Sequence, residues 1–316
     1  MNIRNKLLGA LVLLAGLAWQ PMAAAQAASP AADAYTKKGA DTCLGCHDDE
    51  SATYTAGALF KGKHAQRGDK RTPFGAGGLQ CEACHGPGAA HARSKKARDI
   101  NTFRPDTKMS VGERNSMCLA CHEGTSRTGW HAGAHERAGL ACNSCHKIHL
   151  DRGDPMLRKA AQPQVCLGCH KAQRTDFLKT SAHPVREGRM ACSDCHSAHG
   201  SAAPAMLVKP TLNQTCFSCH ADKRGPLLWE HEPVAEDCSL CHTPHGSVRN
   251  ALLTKTPPLL CQQCHSTAGH PSVARTGAAL PANGSNGALF VVAGSCTNCH
   301  TQVHGSNHPS GAKLMR

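Results

Sequence analysis

The pattern Cys-x-x-Cys-His recurs ten times in this 316-residue chain and uses all twenty of its cysteines. The copies begin at Cys43, Cys81, Cys118, Cys142, Cys166, Cys192, Cys216, Cys238, Cys261 and Cys296. Each closes on a second cysteine and a histidine: Cys46 and His47, Cys84 and His85, Cys121 and His122, Cys145 and His146, Cys169 and His170, Cys195 and His196, Cys219 and His220, Cys241 and His242, Cys264 and His265, Cys299 and His300. A chain interrupted this often by the same pentapeptide has little room for an ordinary apolar core. The pentapeptide is the attachment site of a c-type haem, with two thiols bonded to the porphyrin and the adjacent histidine on the iron. A zinc site needs two cysteine pairs, or one pair plus histidines, per metal, and no histidine after every second cysteine. Disulfides within such close pairs would staple no distant parts of the chain.

The N-terminus predicts export. Arg4 and Lys6 precede an apolar run from Leu7 to Trp19, and Ala25-Gln26-Ala27 has the form of a cleavage site. Residues 1–27 therefore read as a signal peptide, removed on passage to the periplasm. The apolar run is too short for a typical spanning helix, and no later stretch is apolar enough to span as one.

Removing the leader leaves about 29 residues per haem. Aromatic content is 3%, so the haems are expected to supply most of the buried apolar surface and to be needed for folding. The formal charge of +13 falls to +11 without Arg4 and Lys6. Two propionates on each of ten haems contribute about −20 and ferric iron returns about +10, leaving the oxidised protein near neutral. The excess of Lys and Arg thus offsets propionates, and nucleic acid is not expected as a partner. Lys95, Lys96 and Arg98 read as a solvated loop or as propionate partners.

Twelve of the 22 histidines lie outside the motifs. Their positions show a larger repeat. In His135…Cys142-Asn-Ser-Cys145-His146-Lys-Ile-His149 one histidine precedes the motif and another follows it closely. The same form recurs with His183 and His199 around Cys192, and with His231 and His245 around Cys238. It is looser with His64 and His91 around Cys81, and with His270 and His304 around Cys296. The chain is therefore five double-haem repeats, starting at Cys43, Cys118, Cys166, Cys216 and Cys261. Ten spare histidines, His64, His91, His135, His149, His183, His199, His231, His245, His270 and His304, are the candidate distal iron ligands. His131 and His308 are surplus and could exchange roles with His135 and His304. His149, His199 and His245 are each expected to cap the preceding odd-numbered haem. Met156, Met190 and Met206 read as loop or contact residues, since histidine supply suffices.

The fold class expected is an elongated multihaem cytochrome c, mostly irregular with short α-helices and little β, its five double-haem repeats wrapped around a haem stack. Gly and Pro punctuate the segments between motifs. Residues 28–160 would hold haems 1–4 and residues 161–316 haems 5–10, as one continuous unit. Residues 86–117 read as a basic surface loop, and Leu289 to Val292 as a short extended segment.

The ten motifs after a signal peptide, the opening Lys38-Gly-Ala-Asp-Thr-Cys-Leu-Gly-Cys-His47 and the closing His304-Gly-Ser-Asn-His-Pro-Ser-Gly311 together resemble the periplasmic decahaem cytochromes of the MtrA/DmsE type. The resemblance covers the whole mature chain. It implies insertion into an outer-membrane β-barrel protein, with electrons passing between periplasmic or inner-membrane quinol-linked cytochromes and an extracellular multihaem cytochrome, terminal reductase, mineral or metal ion. The haem at Cys43 would face the periplasm and that at Cys296 the outside. Electron transfer without catalysis is the expected function. A multihaem reductase of nitrite or sulfur oxyanions needs an open iron, which the histidine supply argues against. A freely diffusing periplasmic shuttle would differ only in its partner. Direction of flow, terminal acceptor and individual potentials are not written in the sequence.

Overall fold

The computed structural model describes residues 30–47, 80–124, 127–149, 158–265 and 296–316. Among these residues there is no strand; pairing is confined to four isolated bridges. The longest helix is Val111–His122, at 12 residues. It begins at a reciprocal cap: Ser110 Oγ accepts from the Glu113 N–H, and the Glu113 carboxylate accepts from the Ser110 N–H at 2.7 Å.

The motifs themselves make the other recurrent element. The histidine N–H bonds back to the first cysteine's carbonyl in one motif after another, as in His85 to Cys81 at 3.0 Å, His196 to Cys192 at 2.9 Å and His300 to Cys296 at 2.9 Å. That bond closes one helical turn. Positions i, i+3 and i+4 then share a face, so both thiols and the imidazole are presented together. The turn is α-helical in Ala40–His47, Glu82–His85 and Cys142–Cys145, and tightens to 3-10 in Cys192–Asp194, Cys238–Leu240, Cys261–Gln263 and Cys296–Asn298.

The apolar interior formed by side chains alone is small. Among the described residues the buried hydrophobic ones are Ala40, Trp130, Ala141, Phe177, Val185, Ala191 and Leu207, three of them alanines. Polar clamps do much of the joining instead. Buried Asn115 accepts from the Cys142 N–H at 2.8 Å and donates to the Leu140 carbonyl. Asn213 repeats this, accepting from the Cys238 N–H at 2.8 Å and donating to Val234 and Ala235. Each asparagine stands three residues before the first motif of its repeat and seizes the backbone of the second. In the first repeat the Glu82 carboxylate, 3% exposed, accepts from Thr36 N, Thr36 Oγ1 and Gly88 N.

Successive repeats interlock through glycines. In the last three repeats the glycine after the spare histidine that follows the second motif packs against the preceding repeat: Gly200 against the Gly129 backbone, Gly246 against the Asp176 backbone, and Gly305 against the Leu227 side chain and the Trp229 carbonyl. Gly200 and Gly305 also hold positive φ, of 100° and 116°. The bridges Ser181 to Ser247 and Trp229 to Ser306 lie at the same junctions. The contact of Gly129 with Gly200 crosses residue 160, so chain on the two sides of that position is packed together.

Segment 86–117 departs from the surface loop expected of it. It folds into helix Ala89–Ser94, the 3-10 turn Ala97–Asp99 and the start of Val111–His122, and it provides carbonyls for two histidine rings. The residue pattern hid this because most of its charges are exposed while its backbone supplies the carbonyls. Residues 1–27, Met156 and Leu289 to Val292 lie outside the described residues.

Candidate metal centres

Among the described residues, eight histidines of the motifs each face one histidine from outside them. The ring centres are 6.1 Å apart in His47 and His91, His85 and His149, His135 and His170, and His242 and His304. They are 6.0 Å apart in His146 and His199, His196 and His245, and His231 and His265, and 6.4 Å in His183 and His220. An imidazole nitrogen binds a transition metal at about 2 Å and lies about 1 Å from its ring centre, so two rings on opposite sides of one metal have centres roughly 6 Å apart. The donor set therefore fits a six-coordinate haem iron. Six pairs are near parallel, between 11° and 29°; His135 with His170 is at 69° and His183 with His220 at 52°.

Hydrogen bonds set the tautomers. His91 Nδ1–H donates to the Lys96 carbonyl, His135 to Ala198 at 2.9 Å, His183 to Pro244 at 2.7 Å and His231 to Val303 at 2.8 Å. His85, His196, His242 and His300 donate to Asn101, Ala205, Ala251 and Lys313. A carbonyl only accepts, so Nδ1 carries the hydrogen and Nε2 is bare, the form a metal requires. Burial lowers the basicity of the His199, His245 and His304 rings, which also favours the neutral ligand.

The two surplus histidines differ. His131 is exposed, 3.0 Å from the Glu136 carboxylate. His308 Nδ1 accepts from the Ser310 N–H at 3.1 Å, which leaves the hydrogen on Nε2, the opposite tautomer. His64 and His270 lie outside the described residues.

The expected pairing of His149, His199 and His245 is corrected. They face His85, His146 and His196, of even-numbered motifs, and not the preceding odd-numbered motif. The physical reason for the latter two is the glycine that follows each. It lets the loop sit on the backbone of the preceding repeat and carries the histidine back to that repeat's second motif. In exchange, His135, His183 and His231 reach forward to His170, His220 and His265 of the next repeat. The carbonyls that orient His135, His183 and His231 belong to the residues just before His199, His245 and His304, so each junction braces both crossing rings.

The thiols form a continuous file. Within each repeat the first cysteines of the two motifs stand side by side: Cys43 with Cys81, Cys118 with Cys142, Cys166 with Cys192, Cys216 with Cys238 and Cys261 with Cys296. Between repeats the electrostatic influence passes from Cys84 to Cys118, Cys145 to Cys166, Cys195 to Cys216 and Cys241 to Cys261. Neighbouring attachment sites thus lie near one another in chain order.

Reading residue types alone missed Glu82, Asn115 and Asn213, and the carbonyl braces. The two asparagines leave a trace: stacking the repeats puts them at the same offset from Cys118 and Cys216. The carbonyls leave none, because any residue supplies one.

Known proteins resemble the chain over the same segments. The doubled CXXCH motif family matches residues 183–225 and 231–270, and the cytochrome c-type protein NrfB-like family matches 81–158. The multiheme cytochrome MtrA of Shewanella baltica (strain OS185) is 47% identical over 283 residues, covering 89% of this chain and 83% of that one. Cytochrome c-type protein NrfB of Haemophilus influenzae is 30% identical over 151 residues, 42% of this chain and 65% of the relative. The C-type polyheme cytochrome OmcB of Geobacter sulfurreducens is 31% identical over 118 residues, 34% of this chain and 14% of the relative. The paired motifs and twenty cysteines hold covalently bound c-type haem.

Proposed function

Because the chain belongs to the MtrA family of multihaem c-type cytochromes, we propose that it is a periplasmic ten-haem electron conduit seated in an outer-membrane β-barrel. It would connect periplasmic or inner-membrane quinol-linked cytochromes with an extracellular multihaem cytochrome, terminal reductase or metal. Its coarser role, electron transfer by a multihaem cytochrome, follows from the family itself.

The observation that carries the reading is the crossing of histidines between repeats, in which His135, His183 and His231 pair forward and His199, His245 and His304 pair back. Bound haem supplies a reversible one-electron iron couple. The chain's own residues would hold the groups in line, orient eight of the imidazoles by Nδ1–H bonds to carbonyls, and offer an imidazole on either side of the iron at the eight described pairs. Closed positions leave no place for a substrate, which favours conduction over catalysis. His64 and His270 complete the ligand set in this reading, for His122 and His300. Among the described residues no helix is long and apolar enough to cross a membrane, so passage would rely on the barrel. In this reading residues 1–27 direct export and the protein works from the periplasm.

Affinity recovery of the tagged protein from detergent-solubilised outer membranes tests this. A stoichiometric β-barrel partner that survives mild detergent is expected. Recovery without any barrel protein at every detergent strength would support a diffusing shuttle instead.

A further inference from the structure

Three buried polar side-chain atoms among the described residues have no hydrogen-bond partner: Arg114 Nε, Trp130 Nε1 and Asn143 Oδ1. All three lie in the second double-motif repeat. Asn143 Oδ1 is an acceptor; the other two are donors. Trp130 is the more telling donor because the chain contains its own control. Its ring is 7% exposed and lies 6.4 Å from the ring of His199, which faces His146. One repeat on, Phe177 occupies the matching place, 7% exposed and 5.6 Å from the ring of His245. The residues before them, Gly129 and Asp176, receive the matching close approaches of Gly200 and Gly246. A phenyl ring therefore suffices for the packing, and the indole N–H needs another explanation.

A buried donor left unmatched costs about 1–3 kcal/mol, and buried tryptophans usually find an acceptor. No protein atom offers one here. Each c-type haem brings two carboxylates to its site, and a haem between His146 and His199 would bring them beside Trp130.

We propose that the Trp130 N–H donates a hydrogen bond to a propionate of the haem held by Cys142, Cys145, His146 and His199, and thereby raises that iron's reduction potential. This rests on the bis-histidine reading of the pair given above. A propionate's negative charge favours ferric over ferrous iron, because the ferric centre carries one more positive charge. A donor draws that charge away from the iron and weakens the preference. Trp130 acts here as a positioning residue.

The test is a reductive titration of the holoprotein carrying Trp130→Phe, followed at the haem bands. About one-tenth of the absorbance change should move to lower potential, while the remainder superimposes on wild type and haem content and low-spin spectra stay unchanged. The reduced-minus-oxidised infrared spectrum should show one shifted carboxylate stretch. Benzothienylalanine at position 130 keeps the fused-ring shape without the N–H and should act identically, which separates the donor from packing. Superimposable titrations and carboxylate bands in both variants would overturn the proposal and assign the N–H to water. High-spin iron at this site in the wild-type protein would overturn the ligand reading itself, and this proposal with it.

Discussion

Replacing Gly246 by alanine tests the interlock between repeats at its tightest point. A Cβ there would lie 2.0 Å from the Asp176 carbonyl oxygen and 2.7 Å from its carbon. Ordinary contact starts at 3.4 Å, so the two backbones must part by about 1.4 Å. Four hydrogen bonds sit within reach of that movement. Ser181 and Ser247 exchange backbone bonds of 2.9 and 2.7 Å, Ser181 Oγ accepts from Leu252 N at 3.0 Å, and the Pro244 carbonyl holds His183 at 2.7 Å. Overpacking costs about 1–3 kcal/mol and each lost bond about 0.5–1.5 kcal/mol, so Gly246→Ala should destabilise by about 2–5 kcal/mol. For a chain of this size that lowers Tm by roughly 5–15 °C. The damage should also be visible at two irons together. His245 precedes the altered residue and faces His196, and His183 faces His220. Thermal melting, with carbon monoxide binding to the reduced protein, measures both effects. Haem content should stay constant because the thioether bonds are remote from the strain. Gly112→Ala is the control: it lies inside helix Val111–His122, its nearest outside neighbour is 4.0 Å away, and it should melt at or above wild type. A Gly246→Ala protein with wild-type Tm and no carbon monoxide adduct would refute the interlock.

Three further outcomes are expected. Asn213→Ala strands the Cys238 N–H and two carbonyls, which should cost about 2–4 kcal/mol in thermal melts, while Asn213→Asp, keeping the acceptor, should fall between. Electron paramagnetic resonance should separate the irons held by His135 with His170 and by His183 with His220 as highly anisotropic low-spin signals, since their imidazole planes cross steeply; ordinary rhombic signals for all irons would contradict those angles. His131→Ala should leave every iron low-spin, whereas His135→Ala should open one to carbon monoxide; the reverse result would exchange their roles.

The covalent and local parts of this protein are legible because they depend on neighbours in sequence. Cys142, Cys145 and His146 must share a face once one helical turn closes, wherever the turn sits in the fold. The double-motif repeat is legible for the same reason, as a fixed spacing of histidines around alternate motifs. The choice between His131 and His135, or His304 and His308, is not. Each pair differs by four residues and the same residue type, and what separates them is a carbonyl brought from 63 residues away in one case and a local tautomer lock in the other.

By itself, the sequence determined where haem is attached, how many attachment sites there are and that histidines suffice to close them. Tertiary structure decided which histidine crosses to which partner. A spare imidazole is free to swing until backbone packing places it, and here the packing is done by Gly200, Gly246 and Gly305, whose missing side chains let adjacent repeats touch. The result is histidines exchanged in both directions across the junctions, with His199 reaching back and His135 reaching forward. No count of histidines contains that, because it arises from contacts between chain segments that are distant in sequence.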